Sequence, residues 1–105
     1  MWIFQNDSFL SIVALRDKPG VLLVRAREAG DIEAVFPQAK SREGEGADYR
    51  FRADVPAEEV AEAMAERIRA IGYGNFKDSV KDGPRHDAYF NVWEVMVDWG
   101  ALSRG

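Results

Sequence analysis

The strictest alternation of apolar and polar positions in the chain falls in residues 48–55. Four apolar side chains and four charged side chains take turns there: Tyr49, Phe51, Ala53 and Val55 against Asp48, Arg50, Arg52 and Asp54. A period of two is typical of a strand with one buried face and one solvated face. The pattern therefore predicts a strand over 48–55, with its arginines on the solvated face and its apolar residues against helices.

Three apolar segments before residue 30 predict an antiparallel meander. They are Trp2–Phe4, Phe9–Leu15 and Val21–Arg27. Phe9–Leu15 is apolar on both faces, which is typical of a central strand covered on both sides. Asn6-Asp7 suits the first turn. Pro19-Gly20 suits the middle of a type II turn, because glycine accepts the positive φ at the second central position.

Spacings of three and four residues between apolar positions predict the helices. The segment Gly30–Phe36 is the first, and Ala57–Ile71 is the clearest, with an apolar stripe expected through Val60, Met64, Ile68 and Ile71. Gly72 suits the position that ends this second helix. The segment between the first helix and the 48–55 strand, Ser41–Ala47, contains two glycines and is predicted to be a mobile surface loop.

Two more helices are predicted near the end of the chain. Asn75 suits the N-cap of a short helix that runs through Val80, with Asp78 at its third position. The last helix is predicted from about Arg85 to Trp99 and is expected to end at Gly100. Its apolar positions cover most of its circumference, so we expect it to be well buried or to meet a partner.

The order of the elements predicts the fold class. The order β-β-β-α-β-α-α favours an α+β two-layer sandwich in a single domain, residues 1–105. The sheet is expected to have four strands, mixed but mostly antiparallel, with the helices packed on one face. Tyr89, Trp93 and Met96 of the last helix are expected to join the core.

Composition narrows the class of protein. The chain has 105 residues and no cysteine, so disulfides, thiolate metal sites and cysteine nucleophiles are excluded. A formal net charge of −4 argues against general nucleic-acid binding, although it leaves room for a local basic patch. No signal peptide and no membrane-spanning run is recognised. We therefore expect a cytoplasmic protein without a metal or a cofactor.

A local basic patch is predicted on the solvated face of the sheet. Arg25 and Arg27 repeat the spacing of Arg50 and Arg52, so the four arginines can share one face if their strands are neighbours. Arginine is suited to bidentate capture of carboxylate or phosphate. Three interpretations stay open: a face neutralised by cross-strand ion pairs, a surface for a protein partner or a second copy, and a site for single-stranded nucleic acid or another anion.

His86 is the only histidine and lies between Arg85 and Asp87. A histidine beside a carboxylate can act as a general base. Adjacent residues on a helix do not face each other, so we expect no His86–Asp87 relay. A capping or hydrogen-bonding role is the main alternative to a small enzyme built on His86.

Several segments together resemble a group of small uncharacterised bacterial and phage-borne proteins. They are Trp2-Ile3-Phe4, Phe9–Val13, Leu22–Arg27 with Gly30–Ile32, Tyr73–Asp78, and Tyr89 with Val92-Trp93. The resemblance covers most of the chain and implies a compact domain but no activity. A phage context would imply binding to a host protein.

The leading functional hypothesis is a non-enzymatic interaction module that binds a protein partner or itself. Its surface would be the arginine face or the edge of the last helix near Val95 and Val97. A phage-type inhibitor of a host complex is one instance. The alternatives are a binder of single-stranded nucleic acid or an anionic ligand, and an enzyme that uses His86.

Overall fold

A computed structural model of the chain describes residues 1–44 and 48–104. The contacts group the chain into two compact units, Met1–Gly72 and Tyr73–Gly105. The first unit holds a sheet and two helices, and the second holds two helices. The predicted loop Ser41–Ala47 is described only in part, since residues 45–47 lie outside the described residues.

The first unit is built on a five-stranded sheet in which every pair of neighbouring strands is antiparallel. The strands are β1 (Trp2–Gln5), β2 (Ser8–Ala14), β3 (Val21–Ala26), β4 (Arg42–Glu43) and β5 (Phe51–Pro56). Their order across the sheet is β1-β2-β3-β5-β4. The α+β class and the meander are confirmed. The expectation of a mixed sheet with four strands was wrong. All neighbouring strands are antiparallel, and Arg42–Glu43, inside the segment predicted to be a loop, forms a fifth strand that pairs with β5.

The turn between β2 and β3 has the predicted type II geometry. The Val21 N–H donates to the Lys18 carbonyl at 3.1 Å, and Gly20 between them has φ +80°. Pro19 presets φ at the first central position, and Gly20 supplies the positive φ at the second. The turn also meets the start of the second helix, since Ala57 N–H donates to the Gly20 carbonyl at 2.8 Å.

Two helices cover one face of the sheet, α1 (Asp31–Val35) and α2 (Ala57–Arg69). The first is fixed to the sheet by Asp31, whose Oδ2 accepts from the Phe9 N–H at 3.0 Å. The core lies between the helices and the alternate strand residues that face them: Leu10, Ile12, Val24, Ala26, Ile32, Phe36, Ala53, Val55 and Val60. The period of two over residues 48–55 predicted the core positions of Ala53 and Val55 correctly.

The buried stripe of α2 differs from the predicted stripe. Val60, Ala63 and Met64 pack on the core, whereas Ile68 is 67% exposed and Ile71 is also exposed. The stripe continues through Arg67, which donates to Asp7 Oδ1 at 2.7 Å and to the Ala34 carbonyl at 2.6 Å. Burial raises the pKa of Asp7, but the hydrogen bond and charge of Arg67 outweigh burial and leave that pKa below its ordinary value.

The second unit consists of α3 (Phe76–Ser79) and α4 (Gly83–Arg104). The predicted cap is confirmed, since Asn75 Oδ1 accepts from the Asp78 N–H at 3.2 Å. Phe76 stacks on Tyr89 with ring centroids 5.7 Å apart, which joins the two helices. The predicted end of α4 at Gly100 was wrong, because the helix continues to Arg104. Nowhere in the described residues does a helix combine the length and the apolar character needed to span a bilayer.

Candidate functional site

A row of polar residues crosses four strands on the face of the sheet opposite α1 and α2. Ser11 lies opposite Arg25, Arg25 lies opposite Arg52, and Arg52 lies opposite Arg42. Residues in direct register project from the same face of an antiparallel sheet. Arg25 and Arg52 therefore project from the same face in direct register, as expected if their strands are neighbours, and Arg42 extends the row.

Arg25 is the most constrained arginine of this row. Its Nη2 donates to Ser11 Oγ at 2.8 Å, and its guanidinium carbon lies 4.5 Å from the centroid of the Tyr49 ring. Its Nε is buried and has no hydrogen-bond partner among the described residues. We expected Tyr49 in the helix-covered core. That placement was wrong, because β5 begins only at Phe51, so the alternation does not reach Tyr49.

Arg27 shares the Tyr49 ring with Arg25 but is neutralised locally. Its guanidinium carbon lies 4.3 Å from the ring centroid, and its Nη1 lies 2.7 Å from Asp48 Oδ1. The hydrogen bond from Arg27 to Asp48 raises the pKa of the guanidinium above its ordinary value. Arg27 thus contacts one side of the Tyr49 ring while its charge is paired with Asp48.

Arg50 does not join the other arginines. Its Nη2 lies 3.4 Å from Glu43 Oε2, and its guanidinium lies 5.5 Å from the ring of Phe51, a residue that packs on the core. Glu43 lies opposite Phe51 and shares its face. The expectation that all four arginines share one patch was therefore wrong, because the backbone before β5 departs from strand geometry.

Arg52 is held by backbone. Its Nε donates to the Tyr49 carbonyl at 3.4 Å, and the chain of Gly44 passes so close that an added Cβ there would lie 2.7 Å from that Nε. No carboxylate oxygen lies within 4.0 Å of the Arg25 or Arg52 guanidinium in the described part of the chain. These two arginines are directly opposed and lack a described counter-charge.

Arg42 belongs to a separate ion-pair group at the end of the row. The Asp54 carboxylate accepts hydrogen bonds from Lys18 Nζ at 2.8 Å and from Arg42 Nη2 at 3.1 Å. The hydrogen bond from Lys18, followed by that from Arg42, holds the pKa of Asp54 below its ordinary value. Cross-strand ion pairs, one of the three interpretations of this face, therefore account for Arg42 and Arg27 but not for Arg25 and Arg52.

Aromatic side chains continue the same face beyond Ser11. Trp2 lies opposite Ser11, and Phe4 lies opposite Phe9, two residues from Ser11 on β2. Phe4 and Phe9 stack with centroids 4.6 Å apart, and Trp2 meets Phe9 edge-on at 6.3 Å. Trp2 is 67% exposed. The arginine row thus adjoins a ring that is open to a ligand.

His86 lies in the first turns of α4 in the second unit. Its backbone N–H donates to the Asp82 carbonyl at 2.8 Å. Its Nδ1 lies 3.5 Å from Asp87 Oδ1, which is longer than an ordinary hydrogen bond, so the expectation of no His86–Asp87 relay stays a prediction. Asp87 is largely solvated, and a pair of this kind contributes at most ~1 kcal/mol. A chemical role for His86 stays a prediction.

Helix α4 exposes a regular apolar stripe along its outer turns. The residues repeat at alternating spacings of four and three: Ala88, Val92, Val95, Trp99 and Leu102. Val95 is 64% exposed, Trp99 is 61% exposed and Leu102 is 80% exposed. We call these five residues the α4 seam. The expected burial of Trp93 and Met96 was wrong as well, because both are about half exposed.

The α4 seam lies beside the side of α4 that contacts α3, and Val95 and Leu102 are the seam residues turned farthest from those contacts. Tyr89 stacks on Phe76, and Lys77 Nζ lies 4.8 Å from the Trp93 ring centroid. At ~100° per residue, Val95 is turned by about 120° from Tyr89. The short helix α3 therefore leaves Val95 and Leu102 uncovered within this unit.

Sequence reasoning missed three features of these surfaces. Arg42 lies in a two-residue strand that is too short to show a period. Ser11 was hidden within an apolar strand, although a lone polar residue there was a signal of a polar partner. The α4 seam was hidden because α4 carries apolar residues around most of its circumference. Its alternating spacings of four and three could nevertheless have been read directly from the sequence.

In comparisons with known proteins, no family model, no curated protein and no solved structure matches the chain. Among residues 1–44 and 48–104, no three histidine, aspartate or glutamate side chains are placed to hold a metal ion. The two surfaces that stand out are the Arg25–Arg52 pair and the α4 seam.

Proposed function

We propose that this protein is an interaction module that self-associates through the α4 seam. The observation that carries the proposal is the exposure of Val95, Trp99 and Leu102 along one line of a 22-residue helix. Exposed apolar stripes of this regularity are typical of surfaces that meet another helix. The partner is a second copy of the chain.

The spacing of the seam supports pairing with a helix. Apolar residues that alternate at three and four positions average 3.5 residues per repeat, the period of helices that pack along their length. The seam spans two such repeats from Ala88 to Leu102. Val92 and Trp99 take one type of position, and Val95 and Leu102 take the other, so each can enter a gap in a facing helix.

The area of the seam indicates a moderate affinity. Val92, Val95, Trp99 and Leu102 together expose on the order of 500 Å². Two copies would then bury roughly 1,000 Å² from the seam, which is the lower limit for a specific interface. We therefore expect a dissociation constant in the micromolar range.

The flanks of the seam permit two copies to approach. The flanking positions are Tyr89, Asn91, Met96, Asp98 and Ser103, of which only Asp98 is charged. Like charges beside a seam oppose pairing. A single aspartate in each copy adds little repulsion.

Sedimentation equilibrium between about 1 and 300 μM tests the proposal. We expect the mass of the wild-type protein to rise from 11.8 kDa toward twice that value across this range. Val95→Glu places a charge in the seam and should keep the protein monomeric at concentrations at least tenfold higher. Trp fluorescence should shift to the blue on association of the wild type, because Trp99 loses contact with water.

Val97→Glu is the matched control. It makes the same substitution two residues away, about 160° around the helix. This variant should associate like the wild type. A wild type that stays monomeric to 300 μM would refute self-association, and equal behaviour of the two variants would refute the seam as its site.

A further inference from the structure

We propose that Arg25 and Arg52 form a binding site for a phosphate dianion, such as the terminal group of a phosphate monoester. The site lies on the sheet face opposite α1 and α2. It does not depend on the α4 seam, because all its residues belong to the first unit. It would make this face a ligand site in addition to the interaction surface on α4.

The first argument is charge. Arg25 and Arg52 are directly opposed on β3 and β5, and like charges in this position destabilise a sheet. The neighbouring basic side chains have carboxylate partners: Arg27 with Asp48, Arg42 with Asp54. Arg25 and Arg52 have none among the described residues. An anion placed between them would convert a repulsive pair into an attractive group of three.

The second argument is preorganisation. Ser11 and the Tyr49 ring hold the Arg25 guanidinium, and the Tyr49 carbonyl holds Arg52 Nε. Each arginine therefore has its orientation set while part of its fork keeps N–H groups for a ligand. Arg25 Nε is buried without a partner in the described chain, as expected of a donor that lacks its acceptor.

The third argument is reach. Neighbouring strands lie ~4.8 Å apart, so two opposed guanidiniums can both contact one tetrahedral anion. Two positive charges without a carboxylate partner among the described residues match a phosphate group of charge about −2 better than a single carboxylate does. Gly44 is the close wall of this site, since its missing side chain makes room for Arg52.

The experiment measures thermal unfolding in sodium phosphate from about 0.5 to 50 mM, with total ionic strength held constant by sodium chloride. We expect the Tm of the wild type to rise by about 5 °C at phosphate concentrations tenfold above the dissociation constant. Arg52→Gln should lose this rise. In chloride alone, the same variant should unfold at or above the Tm of the wild type, because it removes the repulsion.

Arg50→Gln is the matched control, because Arg50 is a nearby arginine with a carboxylate partner. It should keep the full phosphate response. Arg25→Lys retains the charge but removes the fork, and we expect it to weaken phosphate binding at least fivefold. Repeating the titration in Val95→Glu separates the phosphate response from association.

Three outcomes would overturn the proposal. An equal loss of response in Arg50→Gln would assign the effect to general electrostatics. A lower Tm in Arg52→Gln with an intact phosphate response would assign Arg52 a structural role only. A succinate response as large as the phosphate response would assign the site to dicarboxylates.

Discussion

Asp54 is the residue whose ion pairs are expected to make the stability of the sheet depend on pH. It joins the β2–β3 turn and β4 to β5 through Lys18 and Arg42. Its pKa lies below the unfolded value of about 3.9 because these partners favour the carboxylate. A lowered folded pKa means that the stabilisation is present above pH ~4 and is lost as pH falls through the lowered value.

Asp54→Asn should therefore destabilise the protein at pH 7 and much less at low pH. The expected loss is about 1 kcal/mol at pH 7, because the two ion pairs are partly solvated. Urea unfolding at pH 7 and at pH 2.5 measures the difference. Asp98→Asn serves as the control, since Asp98 makes no ion pair in the described chain. A constant destabilisation by Asp54→Asn at both pH values would contradict the assigned role.

At the scale of elements, the β2–β3 turn sets the register of the meander. Gly20 is needed for its backbone alone, since no atom lies within 4 Å of where its Cβ would be. A residue with a Cβ is strained at φ +80°, whatever the free space. The turn also contacts the start of α2, so its geometry fixes two junctions.

Gly20→Ala should destabilise the protein by about 1–2 kcal/mol, as measured by chemical denaturation. Gly72→Ala is the matched control, because Gly72 has the same open surroundings but no positive φ. It should be neutral or slightly stabilising, since alanine reduces the entropy of the unfolded chain. A similar loss in both variants would show that backbone conformation is not the cause.

The elements also show how far sequence patterns reach. The alternation over residues 48–55 predicted the core residues Ala53 and Val55, because a period of two leaves one face to bury. It failed at Tyr49, where the backbone leaves the strand before the pattern ends. Arg67 replaced Ile68 in the stripe of α2 because Asp7 and the α1 carbonyl give it partners, and those partners are distant in sequence.

The candidate site was predictable only in part. The alternation within each strand, which is visible in the sequence, places Arg25 and Arg52 on the solvated face. Their position directly opposite each other depends on the strand order, which is not visible in the sequence. The prediction placed Arg50 on the wrong face because, like Tyr49, it precedes the start of β5 at Phe51. The host partner implied by the resemblance to bacterial and phage-borne proteins stays a prediction, as does catalysis by His86.

At the scale of the whole molecule, the proposed self-association would couple stability to protein concentration. A dimer that forms only from folded chains stabilises the folded state by mass action. The self-association proposed for Val95, Trp99 and Leu102 would therefore make the stability of the protein depend on its concentration.

The Tm of the wild type should consequently rise by about 3 °C for each tenfold increase in concentration above the dissociation constant. Differential scanning calorimetry between about 10 and 500 μM measures this rise. Val95→Glu should show a Tm independent of concentration. A flat profile for the wild type, together with a dimeric mass, would mean that association contributes nothing to folding.

The order β1-β2-β3-β5-β4 has a consequence for folding during synthesis on the ribosome. β1, β2 and β3 pair with their immediate neighbours in sequence, so the first 26 residues can assemble as soon as they emerge. The other edge of β3 must then wait for β5, which begins 25 residues after the end of β3, with α1 in between. During that interval the nascent sheet has an unpaired edge, and Arg25 on β3 places a positive charge there that discourages premature pairing with other chains.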